Sequence, residues 1–214
     1  MKEKEQLIAE LKERAVIAIL RGIEKEKLPP LLNALYQGGI RFAEITFDQK
    51  QTVTEREIAE QIAAMRCFFD GKLHIGAGTV MTVQQAELAM HAGAEFLISP
   101  HVNPEVIRHT VASGCMSIPG AMTPTEAVTA YENGADFVKI FPADSLGIPY
   151  LQALTAPLAH IPMLAVGGVN ERNIGDFLRL GLAGVGVGAS LMPKACVLSE
   201  EKPCKKVFEY ACCV

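Results

Sequence analysis

The sequence predicts an α/β fold, a (β/α)8 TIM barrel with an additional N-terminal helix, occupying residues 1–214 as a single domain. Three observations predict it. Short apolar runs of strand type alternate with helical stretches at an even pace, the pattern of parallel β/α units. Glycines that can take the left-handed conformation and end a helix stand just before apolar runs, as in Gly93-Ala94-Glu95-Phe96 and Gly134-Ala135-Asp136-Phe137. A chain of 214 residues, half of them apolar, suffices for one sizeable core. A doubly wound open sheet is the alternative; eight evenly spaced strands without a dinucleotide fingerprint favour closure.

Residues 3–13 read as the opening helix, with Leu7, Ile8 and Leu11 on one face. The strands follow as Ala15 to Leu20, Phe42 to Phe47, His74 to Val80, the run FLIS from Phe96, Cys115 to Ala121, the run FVKIF from Phe137, Pro162 to Val169, and Gly184 to Ser190. Between the first two strands a helix is predicted over roughly 26–37, with Pro29 and Pro30 in its first turn and Gly38-Gly39 at its end. Thr52 with Glu55, and Thr82 with Gln85, read as capping boxes of the next two helices. Asn103-Pro104, and Thr123-Pro124 with Glu126, start two more. From about residue 196 the chain is an atypical Lys- and Cys-rich tail with no predicted element.

The formal net charge of -4 offers no basic surface, so no nucleic-acid partner is expected. No apolar run approaches a membrane span, and the charged N-terminus does not read as a secretory signal, so a cytoplasmic protein is expected. Four of the six cysteines (Cys196, Cys204, Cys212, Cys213) fall in the last nineteen residues, but their spacing matches no zinc signature and most are expected to be free thiols. The histidines (His74, His91, His101, His109, His160) are scattered, so no metal site is expected.

In such a barrel the chemistry sits at the C-terminal ends of the strands. The polar residues late in the strands are Arg21, Glu44, Thr46, Thr79, Ser99, Ser117 and Lys139, with glycines at Gly167, Gly168 and Gly188 and a serine at Ser190. Lys139 interrupts the apolar run Phe137 to Phe141 and must point inward with both aromatics, because side chains alternate along a strand. Desolvation there would lower its pKa and make it a candidate nucleophile; snorkelling to water or pairing with a carboxylate is the other reading. Glu44, inside FAEITF, reads either as an ion-pair partner at the barrel mouth or as a proton-transfer group beside an imine-forming lysine. Together Lys139 and Glu44 would make a Schiff-base site. Gly167-Gly168 after the seventh strand, and Gly188-Ala189-Ser190 after the eighth, read either as plain tight turns or as a phosphate cradle of backbone N–H groups, and two such turns on adjacent strands favour the cradle. Asn170 is the expected cap of the following helix.

With these residues in view, the sequence resembles the class I aldolases that act on 2-keto-3-deoxy-6-phosphogluconate and 4-hydroxy-2-oxoglutarate. The resemblance covers about residues 7–195 and rests on AVIAILRG (15–22), AEIT (43–46), IGAGTV (75–80), ISP (98–100), IPGAMTPTE (118–126), FVKIFPA (137–143) and AVGGVN (165–170). It implies an aldehyde-lyase that cleaves 2-keto-3-deoxy-6-phosphogluconate to pyruvate and glyceraldehyde 3-phosphate, or 4-hydroxy-2-oxoglutarate to pyruvate and glyoxylate. Lys139 would form the imine and Glu44 would be the general acid/base. Arg21 and Thr79 would help hold the anionic substrate, and Phe141 would wall the pocket. Gly167, Gly168, Gly188 and Ser190 would bind the phosphate. No cofactor or metal is implied beyond the covalent imine, and the implied assembly is a homotrimer.

One departure stands out. The family commonly carries an Arg two residues after the Thr of the second-strand motif, whereas this chain has Asp48. A carboxylate there cannot replace a guanidinium fork and would repel the carboxylate that the Arg attracts. Gln49, Lys50 or Arg21 are candidates to compensate, or the substrate differs. Two other readings therefore stand beside the aldolase. One is a phosphate-binding barrel enzyme using Lys139 only as a charge; the other is a non-catalytic anion-binding barrel.

Overall fold

The computed structural model describes residues 2–191; the tail that begins at about residue 196, with its four cysteines, lies outside the described residues. The chain opens with helix α1 (Lys2–Arg14) and then alternates: β1 (Val16–Leu20), α2 (Leu28–Gln37), β2 (Phe42–Thr46), α3 (Glu55–Phe68), β3 (His74–Gly78), α4 (Val83–His91), β4 (Phe96–Ile98) and α5 (Pro104–Ala112). It continues through β5 (Met116–Ile118), β6 (Gly120–Ala121), α6 (Pro124–Glu132), β7 (Val138–Ile140), α7 (Ala143–Leu146), α8 (Ile148–Thr155), β8 (Met163–Val166), α9 (Ile174–Arg179) and β9 (Gly184–Val187). A 3-10 helix, Lys25–Lys27, leads into α2.

All strand pairs are parallel, and β1 lies between β2 and β9, so first and last strands meet. The predicted fifth strand is present in two pieces. Pro119 has no N–H to give to a ladder, and the run breaks into β5 and β6 around it. The ring still crosses this point. The Ser117 carbonyl accepts from the Asp136 and Phe137 amides at 3.0 and 3.3 Å, Pro119 from Lys139 at 2.8 Å, and Ala121 from Phe141 at 3.0 Å. The result is the expected α/β barrel.

Alternation along the strands divides the apolar residues into two sets. Ile17, Phe42, Phe96, Met116, Phe137 and Leu164 point inward and pack together with Leu7 and Leu11, so α1 plugs the N-terminal end of the barrel. Ala43, Ile45, Ile75, Val138, Ile140 and Val185 point outward against Leu32, Leu35, Ile62, Ile107 and Phe177 of the surrounding helices. The bottom of the barrel is thus filled by large side chains.

Two caps lie elsewhere than predicted. The capping box of α3 is Thr54 with Glu57: the Thr54 hydroxyl accepts from the Glu57 amide at 3.2 Å, and Glu57 Oε2 accepts from the Thr54 amide at 2.8 Å. Thr52 is instead engaged by Asp48. The cap of α9 is Asn173 rather than Asn170, whose Oδ1 accepts from the Arg172 amide one turn earlier. The Thr123–Glu126 capping box and the Asn103 cap are where the sequence placed them.

Candidate active site

Lys139 sits in the middle of β7, between outward-facing Val138 and Ile140, and is only 5% exposed. Its Nζ lies 4.9 Å from the centroid of the Phe141 ring. Burial lowers its pKa; Glu44 acts in the opposite direction and Arg21 adds to the lowering. Glu44, on β2, is 1% exposed, and its Oε2 has no hydrogen-bond partner among the described residues. Burial pushes its carboxyl up from the ordinary 4.5 to about 7, against the pull of Lys139 and Arg21. Neither side chain closes an ion pair with the other. Each feels the other's charge across the barrel while lacking a direct neutralising contact, and burial shifts both toward their neutral forms.

Room for Glu44 comes from β3. A Cβ on Gly78 would stand 2.5 Å from the Glu44 carboxyl carbon, so only glycine lets the carboxyl lie across that strand. After β8 the chain turns through Gly167 and Gly168 with φ of 95° and 75°, a region that side chains rarely adopt. A Cβ on Gly168 would also collide with Asp144 at 2.2 Å. The Gly167–Gly168 and Gly188–Ser190 turns lie side by side: the Ser190 hydroxyl donates to the Val169 carbonyl at 2.6 Å.

A cavity of about 650 Å³ opens at the C-terminal end of the barrel, lined by Lys139, Phe141, Gly167, Gly168, Gly188 and Ser190, with Arg21 and apolar Ile19 and Val166. Phe141 forms its exposed wall, 39% accessible above Lys139. Beside it a smaller cavity of about 430 Å³ is lined by Arg21, Asp48, Gln49, Lys50 and Thr79. Arg21 belongs to both, and its Nη2 donates to Thr79 Oγ1 at 3.4 Å. Most of the residues singled out in the sequence meet at one mouth: Lys139, Phe141, Arg21, Gly167, Gly168, Gly188 and Ser190 line the main cavity and Thr46 and Thr79 the adjoining one, whereas Ser99 and Ser117 line neither. Glu44 lines neither and is reached only from within the barrel.

The sequence offered Gln49 only as one candidate to compensate for Asp48; in the structure its Nε2 donates to the Thr79 carbonyl at 3.3 Å. Asp48 is not a free charge. Oδ1 accepts from the Lys50 amide at 2.9 Å, and Oδ2 accepts from the Thr52 amide at 2.8 Å, the Val53 amide at 3.3 Å and the Thr52 hydroxyl. The signal was present as an Asp with a Thr four residues on, in a polar loop after a strand, a setting in which Asp bonds its own following backbone. Among the described residues no three His, Cys, Asp or Glu side chains gather as a metal site would need, and no helix is long and apolar enough to cross a membrane.

The chain was compared with known proteins. The family model for KDPG and KHG aldolase matches residues 7–208. The chain is 38% identical over 180 residues to a probable 2-dehydro-3-deoxy-6-phosphogalactonate aldolase of Rhizobium meliloti, covering 84% of this chain and 82% of that one. It is 39% identical over 164 residues to a 2-dehydro-3-deoxy-phosphogluconate aldolase of Treponema pallidum, covering 76% and 75%. Its fold is similar to the solved native KDPGal structure, with a TM-score of 0.83, 33% identity, and 92% and 93% of the two chains covered.

Proposed function

The chain belongs to the KDPG and KHG aldolase family, and is therefore a lyase; from that premise we propose that it cleaves a 2-keto-3-deoxy-6-phospho sugar acid by way of an imine on Lys139. The observation that carries this reading is a buried lysine without an ion-pair partner among the described residues, facing a cavity whose far wall is two adjoining glycine turns. The phosphate would lie on Gly167, Gly168, Gly188 and Ser190, and the keto group on Lys139. Relatives act, by name, on the phosphogluconate and the phosphogalactonate compound. These differ in configuration at C4, which becomes the aldehyde carbon, so either would give pyruvate and glyceraldehyde 3-phosphate.

In the forward direction the neutral Nζ of Lys139 attacks C2, and a proton delivered to the carbinolamine hydroxyl lets it leave as water, giving a protonated imine. A proton leaves the C4 hydroxyl, the C3–C4 bond breaks, and its electron pair flows into the iminium to give an enamine while the aldehyde departs. Protonation of the enamine at C3 gives the pyruvate imine, and water releases pyruvate. Glu44, with a pKa of about 7, can both give and take these protons near neutral pH, through a water because it does not reach the cavity itself. The electron sink is the protonated imine, so the scheme draws on no cofactor. Incubation with pyruvate and borohydride, followed by peptide mass spectrometry, should show a reduced pyruvate adduct on Lys139. A folded protein that gives no adduct would overturn the reading.

A further inference from the structure

We propose that Asp48 is a positioning residue for recognition of the carboxylate end of the keto acid: it shapes the loop between β2 and α3 from within, so that Gln49 is held against Thr79 and Thr79 against Arg21. The inference rests on the aldolase reading above. It concerns how that site holds its substrate, not which bond is broken.

Three observations lead to it. First, the Asp48 carboxylate is consumed by its own loop. Four donors from Lys50, Thr52 and Val53 converge on its two oxygens, about the full capacity of a carboxylate. Second, the loop is held in a conformation that needs such support. The Gln51 amide donates to the Asp48 carbonyl at 3.1 Å, and Gln51 sits at φ 56°, a left-handed setting that a residue with a side chain adopts only when its surroundings impose it. Third, a side chain of the ordered loop reaches the end of the neighbouring strand: Gln49 Nε2 donates to the Thr79 carbonyl. Thr79 is itself left-handed, at φ 57°, and presents its hydroxyl to Arg21. Arg21 is the cation shared by the main cavity and the side cavity.

The side chains therefore form a chain of support, from Asp48 through its loop to Gln49, then Thr79, then Arg21. Asp48 acts through its neighbours. The carboxylate of the keto acid meets the Arg21 guanidinium. Loss of the Asp48 charge should weaken binding at that end, whereas a substrate-facing Asp48 would repel, and its neutralisation would tighten binding. The two cases differ in sign.

Pyruvate isolates this end of the substrate, since it carries the carboxylate and keto group alone. Steady-state condensation of pyruvate with D-glyceraldehyde 3-phosphate should be measured for the wild type, Asp48→Ala, Asp48→Arg and Gln49→Ala. Asp48→Ala is expected to raise the KM for pyruvate about tenfold with kcat within about twofold, the size of one well-placed hydrogen bond to a charged group. Asp48→Arg should raise it at least as much, although it brings a cation to the rim. Gln49→Ala leaves the Asp48 loop bonds in place and removes only the link, so it should raise the same KM with unchanged urea stability; it decides the matter if the Asp48 variants do not fold. A KM that falls or stays unchanged in Asp48→Ala or Asp48→Arg, or stays unchanged in Gln49→Ala, would overturn the inference. Borohydride trapping of pyruvate on wild-type Lys139 separates the two readings: an adduct with unchanged KM values sinks only the role of Asp48, while no adduct sinks the aldolase reading and this inference with it.

Discussion

The two ends of the barrel use the same kinds of side chain in opposite ways. At the N-terminal end several charged groups near the strand starts are paired with opposite charges. Lys4 meets Asp136 at 2.9 Å, Arg66 meets Glu95 at 2.7 Å, and His74 stands between Glu95 and Glu10 at 3.0 and 3.1 Å. Leu7 and Leu11 of α1 close that end. At the C-terminal end Lys139 and Glu44 are more deeply buried and, among the described residues, have no direct counter-charge. Burial with a partner fixes a charge and ties elements together. Burial without one pushes a lysine and a carboxylate toward their neutral forms, which is the condition for a nucleophile and a proton carrier at neutral pH. On the proposed reading, stability and chemistry are separated along the barrel axis.

Substitution should expose that separation most sharply at Lys139. Lys139→Met is expected to abolish turnover while leaving urea stability equal or higher, because it replaces a poorly compensated buried cation by an apolar chain of similar length. A clear loss of stability would place Lys139 among the structural charges.

Glu44→Gln should act in the same sense and carries a pH signature. Loss of an acid/base group is expected to lower kcat by about 10²–10⁴. Folding raises the carboxyl from 4.5 to about 7, so protonated Glu44 favours the fold below about pH 4.5, and that contribution is lost as pH rises through about 7. Near pH 8 the wild type holds a buried carboxylate, and Glu44→Gln should be the more stable, by on the order of 3 kcal/mol at about 1.4 kcal/mol per pKa unit. The gap should close in acid. Equal stability at both pH values would show that the carboxylate is not penalised.

At the opposite end Glu95→Gln should do the reverse. It weakens the contacts to Arg66 and His74, so stability should fall by about 1–3 kcal/mol with kcat/KM unchanged. Burial disfavours the charged His74, but Glu95 and Glu10 together outweigh it and raise its pKa. Its stabilising contribution is therefore full below its ordinary value of 6.5 and fades as pH rises through the raised folded value. The difference between wild type and Glu95→Gln should shrink in alkali, the opposite trend to Glu44→Gln. A matching loss of kcat/KM would mean that the two ends are coupled.

Much of the C-terminal end was legible in the sequence because its signals are local. A lysine in FVKIF and glycine pairs after strands announce themselves within a few residues, and the alternation of units places them at one mouth. The N-terminal end was not legible. His74 and its two partners are 64 and 21 residues apart in the chain, and no local pattern marks a pairing over that distance. The Asp48 loop failed for another reason. Thr52 looked like a helix cap because Glu55 lies three residues on, yet Asp48 competes for the same Thr, and the cap moves two residues to Thr54. The break at Pro119 could have been read from the missing N–H, but the carbonyls that carry the ring past it depend on where β7 lies.

Pyruvate alone tests the pairing of Lys139 with Glu44 without any aldehyde. Exchange of its methyl protons for deuterium, followed by NMR, requires an imine at Lys139 and a group that moves the C3 proton. The wild type should exchange them rapidly. Lys139→Met should not exchange them at all, and Glu44→Gln should still trap pyruvate with borohydride while exchanging about 10²-fold or more slowly. Exchange at the wild-type rate in either variant would contradict the assignment of imine and proton transfer to these two unpaired groups.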